Sequence, residues 1–170
     1  MEQLWSPWRS KYIDNFKHKD GNDLDCFLCY AAQNPDKDHE TMVIYRKKHC
    51  FVIMNKFPYN NGHLLIAPYN HNGEIESFDD EVLSEIMLTV RDSTRIIKSL
   101  YNPHAFNAGM NLGRAAGAGV PDHLHFHVLP RWNGDTSFTA TIADVKVISY
   151  SLEESYHEIR NAFIDKFGAY

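Results

Sequence analysis

No stretch of the sequence strings together the roughly 18 apolar residues that a membrane-spanning helix needs, which argues against a bilayer protein. The opening MEQLWSPWRSKYI carries an early acidic residue and no apolar core, unlike a secretory leader. Cysteine is scarce: the three residues, at 26, 29 and 50, are too few for a disulfide framework. The expected compartment is a reducing one, the cytoplasm. Basic charge is not in excess either, since 17 lysines and arginines face 22 aspartates and glutamates, for a formal net charge of -5. That balance speaks against a surface that coats nucleic acid. A ligand with phosphates would have to be held by local dipoles and a few cations. Internal repeats and low-complexity segments are also missing.

What remains is an ordinary globular composition, 44% hydrophobic, at a length of 170 residues that suits one domain. Residues 1–40 read as loop-rich, punctuated by Trp5, Trp8 and Tyr12, and 145–170 as a helical C-terminal segment. Short β-branched runs at 42–46, 50–54, 63–67, 105–112 and 123–129 predict five strands. FPYNNG is short enough to join the second and third as antiparallel neighbours. From Asp79 to Leu100, the helical spacing of Val82, Ile86, Val90, Ile97 and Leu100 predicts a long helix stopped by Asn102-Pro103. A second helix over 152–167 has Leu152, Tyr156, Ile159, Phe163 and Phe167 on one stripe. The expected class is α+β, with helices covering a mainly antiparallel five-stranded sheet.

His123, His125 and His127 alternate with Leu124, Phe126 and Val128 in the run HLHFHVL. In a strand this places three imidazoles on one face and the apolar residues on the other. A face needing only burial has no use for three imidazoles. Nor does one metal ion suit all three, because the outer pair start roughly 13 Å apart on a strand rising about 3.3 Å per residue. Different jobs for the three histidines fit better. Upstream lies NLGRAAGAGVPD, where Gly113, Gly117 and Gly119 let backbone N–H groups approach an anion. A neutral imidazole beside such a loop is a competent nucleophile at phosphorus. A metal hydrolase using HxH as ligands would want a nearby carboxylate, and only Asp122 and Asp135 are close, at no recognisable spacing.

Cys26-x-x-Cys29 has metal-ligand spacing but supplies two ligands only; a redox pair lacks its βαβ context, and two buried cysteines remain the plain alternative. Cys50, within an apolar strand, reads as core. Histidines 18, 39, 49, 63, 104 and 157 show no partner, and His63, at the head of a strand, reads as structural.

HLHFHVL resembles the HφHφHφφ signature of the histidine triad (HIT) superfamily, where φ is apolar. The resemblance extends through CFLC, MNKFPYNNGHLLIAPYNH and FNAGMNLGRAAGAGVPDHLHFHVLPRWNGDTSF, which follow the pattern in order over roughly residues 1–140. The WxPWR opening and the PRWNGDT extension resemble a bacterial branch of diadenosine tetraphosphate phosphorylases. The resemblance implies a homodimeric α+β enzyme in which His125 attacks the α-phosphate of a nucleotide or dinucleotide polyphosphate. The nucleotidyl group then passes to water, inorganic phosphate or another acceptor. It implies that His127 donates a hydrogen bond to the phosphate, that Asn55 holds the ribose and that Asn111 lies near the phosphates with Gly117 and Gly119. Lys56 and Arg114 are either contacts to distal phosphates or solvated charges. It further implies structural zinc on Cys26, Cys29, His71 and His123.

One position departs from the pattern. Many family hydrolases carry glutamine four residues before the first triad histidine, where this chain has Gly119. The missing side chain opens space beside the phosphorus, which favours phosphate over water as acceptor.

Overall fold

Five strands form one antiparallel sheet in the order β1-β2-β3-β5-β4. They are β1 (Val43–Arg46), β2 (Cys50–Met54), β3 (Leu64–Pro68), β4 (Ala105–Gly109) and β5 (Phe126–Arg131). The computed structural model describes residues 26–136 and 147–170, so Trp5, Trp8, Tyr12 and the WxPWR opening lie outside the described residues. Four α-helices are described: α1 (Phe27–Gln33), α2 (Asp38–Thr41), α3 (Asp80–Tyr101) and α4 (Leu152–Phe167). The expected α+β class, the antiparallel β2–β3 hairpin and both longer helices are present.

Period-2 alternation gives the central strands two apolar faces. On one, Val52, Met54, Leu64, Ile66, Phe126 and Val128 pack with Ile86, Val90 and Ile97 of α3 and Tyr156, Ile159 and Phe163 of α4. On the other, Phe51, Ile53, Leu65 and Ala67 pack with Leu28 and Ala31 of α1. α3 ends at Asn102, which takes a left-handed conformation (φ 44°) before Pro103. α4 opens with a capping box, Ser151 accepting from the Glu154 N–H while the Glu154 carboxylate accepts from the Ser151 N–H.

Several boundaries differ from the sequence expectation. The last strand starts at Phe126 rather than 123, because the Leu124 N–H bonds Asn72 O in a loop instead of continuing the ladder. β4 stops at Gly109 rather than 112. Leu100, assigned to the apolar stripe of α3, is 38% exposed, and Phe167 of α4 is 37% exposed. Within the supposedly loop-rich 1–40, α1 and α2 are helical; at seven and four residues they are too short to show a period. Tertiary contacts hold them. The Arg46 guanidinium donates to Ala31 O and Ala32 O at the end of α1 and pairs with Asp38 (2.6 Å), both charges being nearly buried. Tyr170 Oη donates to the same Asp38 carboxylate (2.6 Å), tying the last residue to α2.

The loop after β3 is stitched to the segment entering β5. Besides the Leu124–Asn72 bond, Gly73 lies so close to it that a Cβ there would sit 2.0 Å from Pro121 O, a backbone atom. Gly73→Ala is therefore expected to lower unfolding stability by about 1–3 kcal/mol, measured by urea denaturation; a neutral variant would mean that the two loops do not pack this closely.

Candidate active site

β3 pairs with β5 so that Leu65 faces His127 and Leu64 faces Val128. Directly opposed residues share a face, so His127 lies on the Leu65–Ala67 side, away from α3 and α4. His63, just before β3, belongs to the same face, and its Nε2 is 2.9 Å from His127 Nδ1. The rings of His125 and His127 are 5.2 Å apart, as are those of His63 and His127. Leu124, Phe126 and Val128 go into the opposite core, as the alternation requires. His63 corrects the sequence expectation of a histidine without a partner. Its signal was positional only: it heads the strand that neighbours the triad, a register invisible in the sequence.

The hydrogen bonds fix the tautomers of all three rings. The Tyr59 N–H donates to His63 Nδ1 (3.1 Å), so the proton of neutral His63 sits on Nε2 and is donated to His127 Nδ1. Neutral His127 then carries its own proton on Nε2. His125 Nδ1 lies 2.8 Å from the His123 carbonyl, which only accepts, so Nδ1 donates and Nε2 keeps its lone pair. Burial, reinforced by the neighbouring His127 and His125, pushes the His63 pKa down to about 3. Burial also lowers that of His125, against the raising effect of its carbonyl partner. Neighbouring rings thus offer one lone pair and one N–H donor.

Asn55 lies at the edge of this network. Its amide nitrogen is 3.3 Å from His63 Nδ1, while its oxygen accepts from the Phe57 N–H (2.9 Å), closing a turn. Beyond it opens a cavity of about 340 Å³, mostly apolar, walled by Phe27 and Tyr30 of α1, Thr41, Ile53, Asn55 and Lys56. Lys56 is engaged there with Glu40 O (2.9 Å). On the other side of His127 sits Gly109, its partner in β4, two residues before Asn111. The Asn111 amide donates to Gly117 O (3.4 Å) and closes the glycine loop, in which Gly113 and Gly117 take positive φ and Arg114 is exposed. Gly119 is half-buried in the same loop. Asp135, one of the two carboxylates weighed as metal ligands, braces Arg131 (2.6 Å) and Asn60 (3.0 Å) instead.

Cys26, Cys29, His71 and His123 converge as a group able to hold a metal ion, their ligand atoms all within 4.8 Å of one another. Sγ–Nδ1 separations are 3.4 Å for Cys26–His123, 3.1 Å for Cys29–His71 and 3.4 Å for Cys29–His123. Tetrahedral zinc, with Zn–S about 2.3 Å and Zn–N about 2.0–2.1 Å, sets such pairs roughly 3.5 Å apart. His123 Nε2 donates to Pro68 O (2.9 Å), which leaves Nδ1 as the lone-pair nitrogen facing the sulfurs. The four side chains fit a closed tetrahedral site. Cys50, by contrast, is buried in the core, and burial raises its pKa to about 12, an inert thiol.

Comparison with known proteins agrees with this geometry. Residues 36–134 match the HIT domain family. A Mycobacterium tuberculosis protein described as AP-4-A phosphorylase is 36% identical over 157 residues, covering 91% of this chain and 80% of its own length. An asymmetrical bis(5'-nucleosyl)-tetraphosphatase from Schizosaccharomyces pombe is 30% identical over 97 residues, covering 57% of this chain and 53% of its own. Among solved structures, a zinc-bound histidine triad family protein from Mycobacterium smegmatis superposes with a TM-score of 0.67 at 23% identity, covering 85% of this chain and 97% of its own. That last likeness bears on the fold.

The His63 environment has a consequence in acid. Unfolded His63 takes up a proton near pH 6.5, whereas the folded side chain does so only near 3. The unfolded state therefore binds more protons across that window, and stability falls as pH drops through it. The loss approaches but does not exceed ~1.4 kcal/mol per pH unit from this group. Urea unfolding at pH 7, 6, 5 and 4 should show the decline starting near 6.5, and His63→Gln should make it shallower. An identical slope in the variant would mean that His63 is not held neutral.

Proposed function

The chain belongs to the histidine triad family, and from that premise we propose that it transfers a nucleotidyl group through a nucleotidyl-histidine intermediate, acting as a phosphorylase that converts diadenosine tetraphosphate and phosphate to ATP and ADP. One observation carries the reading: a buried, neutral His125 with its Nε2 lone pair free of internal protonation, beside His127 with a proton on Nε2. His125 Nε2 attacks the α-phosphorus of one adenosine moiety. The bond from that phosphorus to the bridging oxygen breaks, and ATP departs. As His125 gains positive character, its Nδ1–H bond to the His123 carbonyl stabilises it. His127 donates to the phosphoryl oxygens, and backbone amides of the Asn111–Gly119 loop complete the anion site. Phosphate then attacks adenylyl-His125, releasing ADP and restoring the lone pair.

In this reading the 340 Å³ cavity takes the nucleoside, with Asn55 turned from its Phe57 N–H toward the ribose and Lys56 from Glu40 O toward phosphate. Phosphate as acceptor draws support from the lack of a side chain at Gly119 and from the likeness to the mycobacterial AP-4-A phosphorylase. Hydrolysis, the alternative, draws on the likeness to the yeast tetraphosphatase. A zinc-bound nucleotide sensor without turnover is the reading from a different class. Structural zinc in the Cys26–Cys29–His71–His123 group fits the separations described above and would anchor α1 to the segment entering β5. The strand β4 at the sheet edge, exposed along most of its length, together with exposed Met87, Leu88 and Leu112, supports a homodimer. A cytoplasmic location is part of the same reading; among the described residues no helix is long and apolar enough to cross a membrane.

Products resolved after incubation with diadenosine tetraphosphate decide the acceptor. ATP plus ADP, formed only with added phosphate, is the expected outcome; ATP plus AMP in either condition makes the enzyme a hydrolase, and tight AMP binding without turnover makes it a sensor. His125→Ala should lower turnover by roughly 10³-fold or more and His127→Ala by roughly 10²–10³-fold. Full activity in His125→Ala would sink the covalent route. Cys26→Ser should lose metal in elemental analysis and unfold at lower temperature, with residual chemistry in the molecules that still fold.

A further inference from the structure

Three exposed side chains from two distant parts of the chain meet beside α2: His39, and Glu153 and His157 one turn apart on α4. A single carboxylate oxygen, Glu153 Oε1, lies 2.5 Å from His39 Nε2 and 3.0 Å from His157 Nε2. One donor atom from each of the three side chains falls within 4.8 Å of the others. Exposed ion pairs are common and worth little, and by themselves they specify no ligand. The bracing of the two imidazoles is what sets this cluster apart. Both rings pack edge-on against Tyr156, His39 at 5.4 Å and 81° and His157 at 5.3 Å and 72°. Tyr156 is only 2% exposed and belongs to the core shared with α3. Both imidazoles thus rest on one buried ring, with their Nε2 atoms directed at the same carboxylate oxygen.

The donor set is specific in kind. Two imidazoles and one carboxylate suit borderline divalent ions such as zinc, nickel and copper, whereas magnesium and calcium want oxygen ligands. Around a tetrahedral ion with bonds of about 2.0–2.2 Å, donors stand roughly 3.3–3.6 Å apart. The two nitrogen–oxygen separations, 2.5 and 3.0 Å, are shorter than that, and the exposed side chains have room to open around an ion. We propose that His39, Glu153 and His157 form a second metal site, open to solvent, which takes one divalent transition-metal ion and braces α2 against α4. It differs in character from the cysteine-rich group: three ligands, no thiolate, and coordination positions left to water. Its placement has a consequence for the cavity, because Glu40 and Thr41, the next residues after His39, line that cavity.

The test uses tag-free protein purified with zinc and dialysed free of loosely bound metal, titrated with Ni²⁺ by calorimetry and followed by thermal unfolding. The expected result is one equivalent of Ni²⁺ per chain bound with micromolar affinity beyond the resident zinc, and a Tm that rises with Ni²⁺. His157→Ala and His39→Ala should each weaken that equivalent at least tenfold and flatten the Tm response, while resident zinc stays at its wild-type content. His127→Ala, which alters the other histidine cluster, should keep both. Failure to bind this equivalent at millimolar Ni²⁺ would overturn the proposal. So would an equivalent that persists in His39→Ala and His157→Ala, since that ion would sit elsewhere. Both variants replace exposed side chains, and their unfolding without added Ni²⁺ checks that the fold is intact.

Discussion

The antiparallel pairing of β3 with β5 is the constraint on which the site depends. It brings together His63 and His127, 64 positions apart in the chain, at an entropic cost of loop closure that grows only slowly with that length. What holds its register is the two-sided apolar pattern. A slip of one residue would turn Leu124, Phe126 and Val128 out of the core beneath α3 and α4 and drive the three histidines into it. Each large apolar side chain lost from burial costs about 1.5–3 kcal/mol, and each imidazole forced into an apolar core without a partner costs more still. The sequence that presents the histidines is therefore also the sequence that prevents their misplacement.

The cysteine–histidine group secures the entry to the same strand, where ladder bonds have run out. His123 reaches Pro68 O with one nitrogen and the two sulfurs with the other. A metal there would clamp β3, the triad segment and α1 at a single point. α1 runs between and beyond the two cysteines, and Phe27 and Tyr30 on it wall the cavity. A metal held there would be coupled to the shape of the cavity through one short helix. Too short to be stable alone, it draws its order from Arg46 at its C-terminal end, from the burial of Leu28 and Ala31, and from the cysteines.

Much of this was legible before the structure. Alternation in HLHFHVL announced which side chains share a face, and β-branched runs with turn residues announced the β2–β3 hairpin. Helical spacing marked α3 and α4 almost to the residue. The four members of the cysteine–histidine group were expected from resemblance, and the structure brings them together. What stayed hidden depends on contacts between distant residues. His63 gave no local sign of meeting His127, because strand register across 64 positions is not written in either segment. The close approach of Gly73 to Pro121 O exists only once two loops are stacked. Asp38 and Arg46 pair with little exposure, and the distant Tyr170 hydroxyl donates to the same Asp38 carboxylate.

The burial of His63 explains why the network is built from imidazole rather than from simpler groups. Protonation of His63 would turn Nδ1 into a donor aimed at the Tyr59 N–H, two hydrogens facing each other in a site closed to water. Burial and that opposed N–H both favour the neutral ring, with its proton on Nε2. His127 inherits its tautomer from this arrangement, as His125 inherits its own from the His123 carbonyl. Two main-chain groups, one N–H and one C=O, thereby dictate which nitrogen of each ring is a donor and which holds a lone pair. In the proposed reaction charge develops first on phosphoryl oxygens and on His125, and the groups meeting it are already oriented by the backbone. Little reorganisation is left for the moment of bond exchange, which is the condition under which electrostatic stabilisation is most effective.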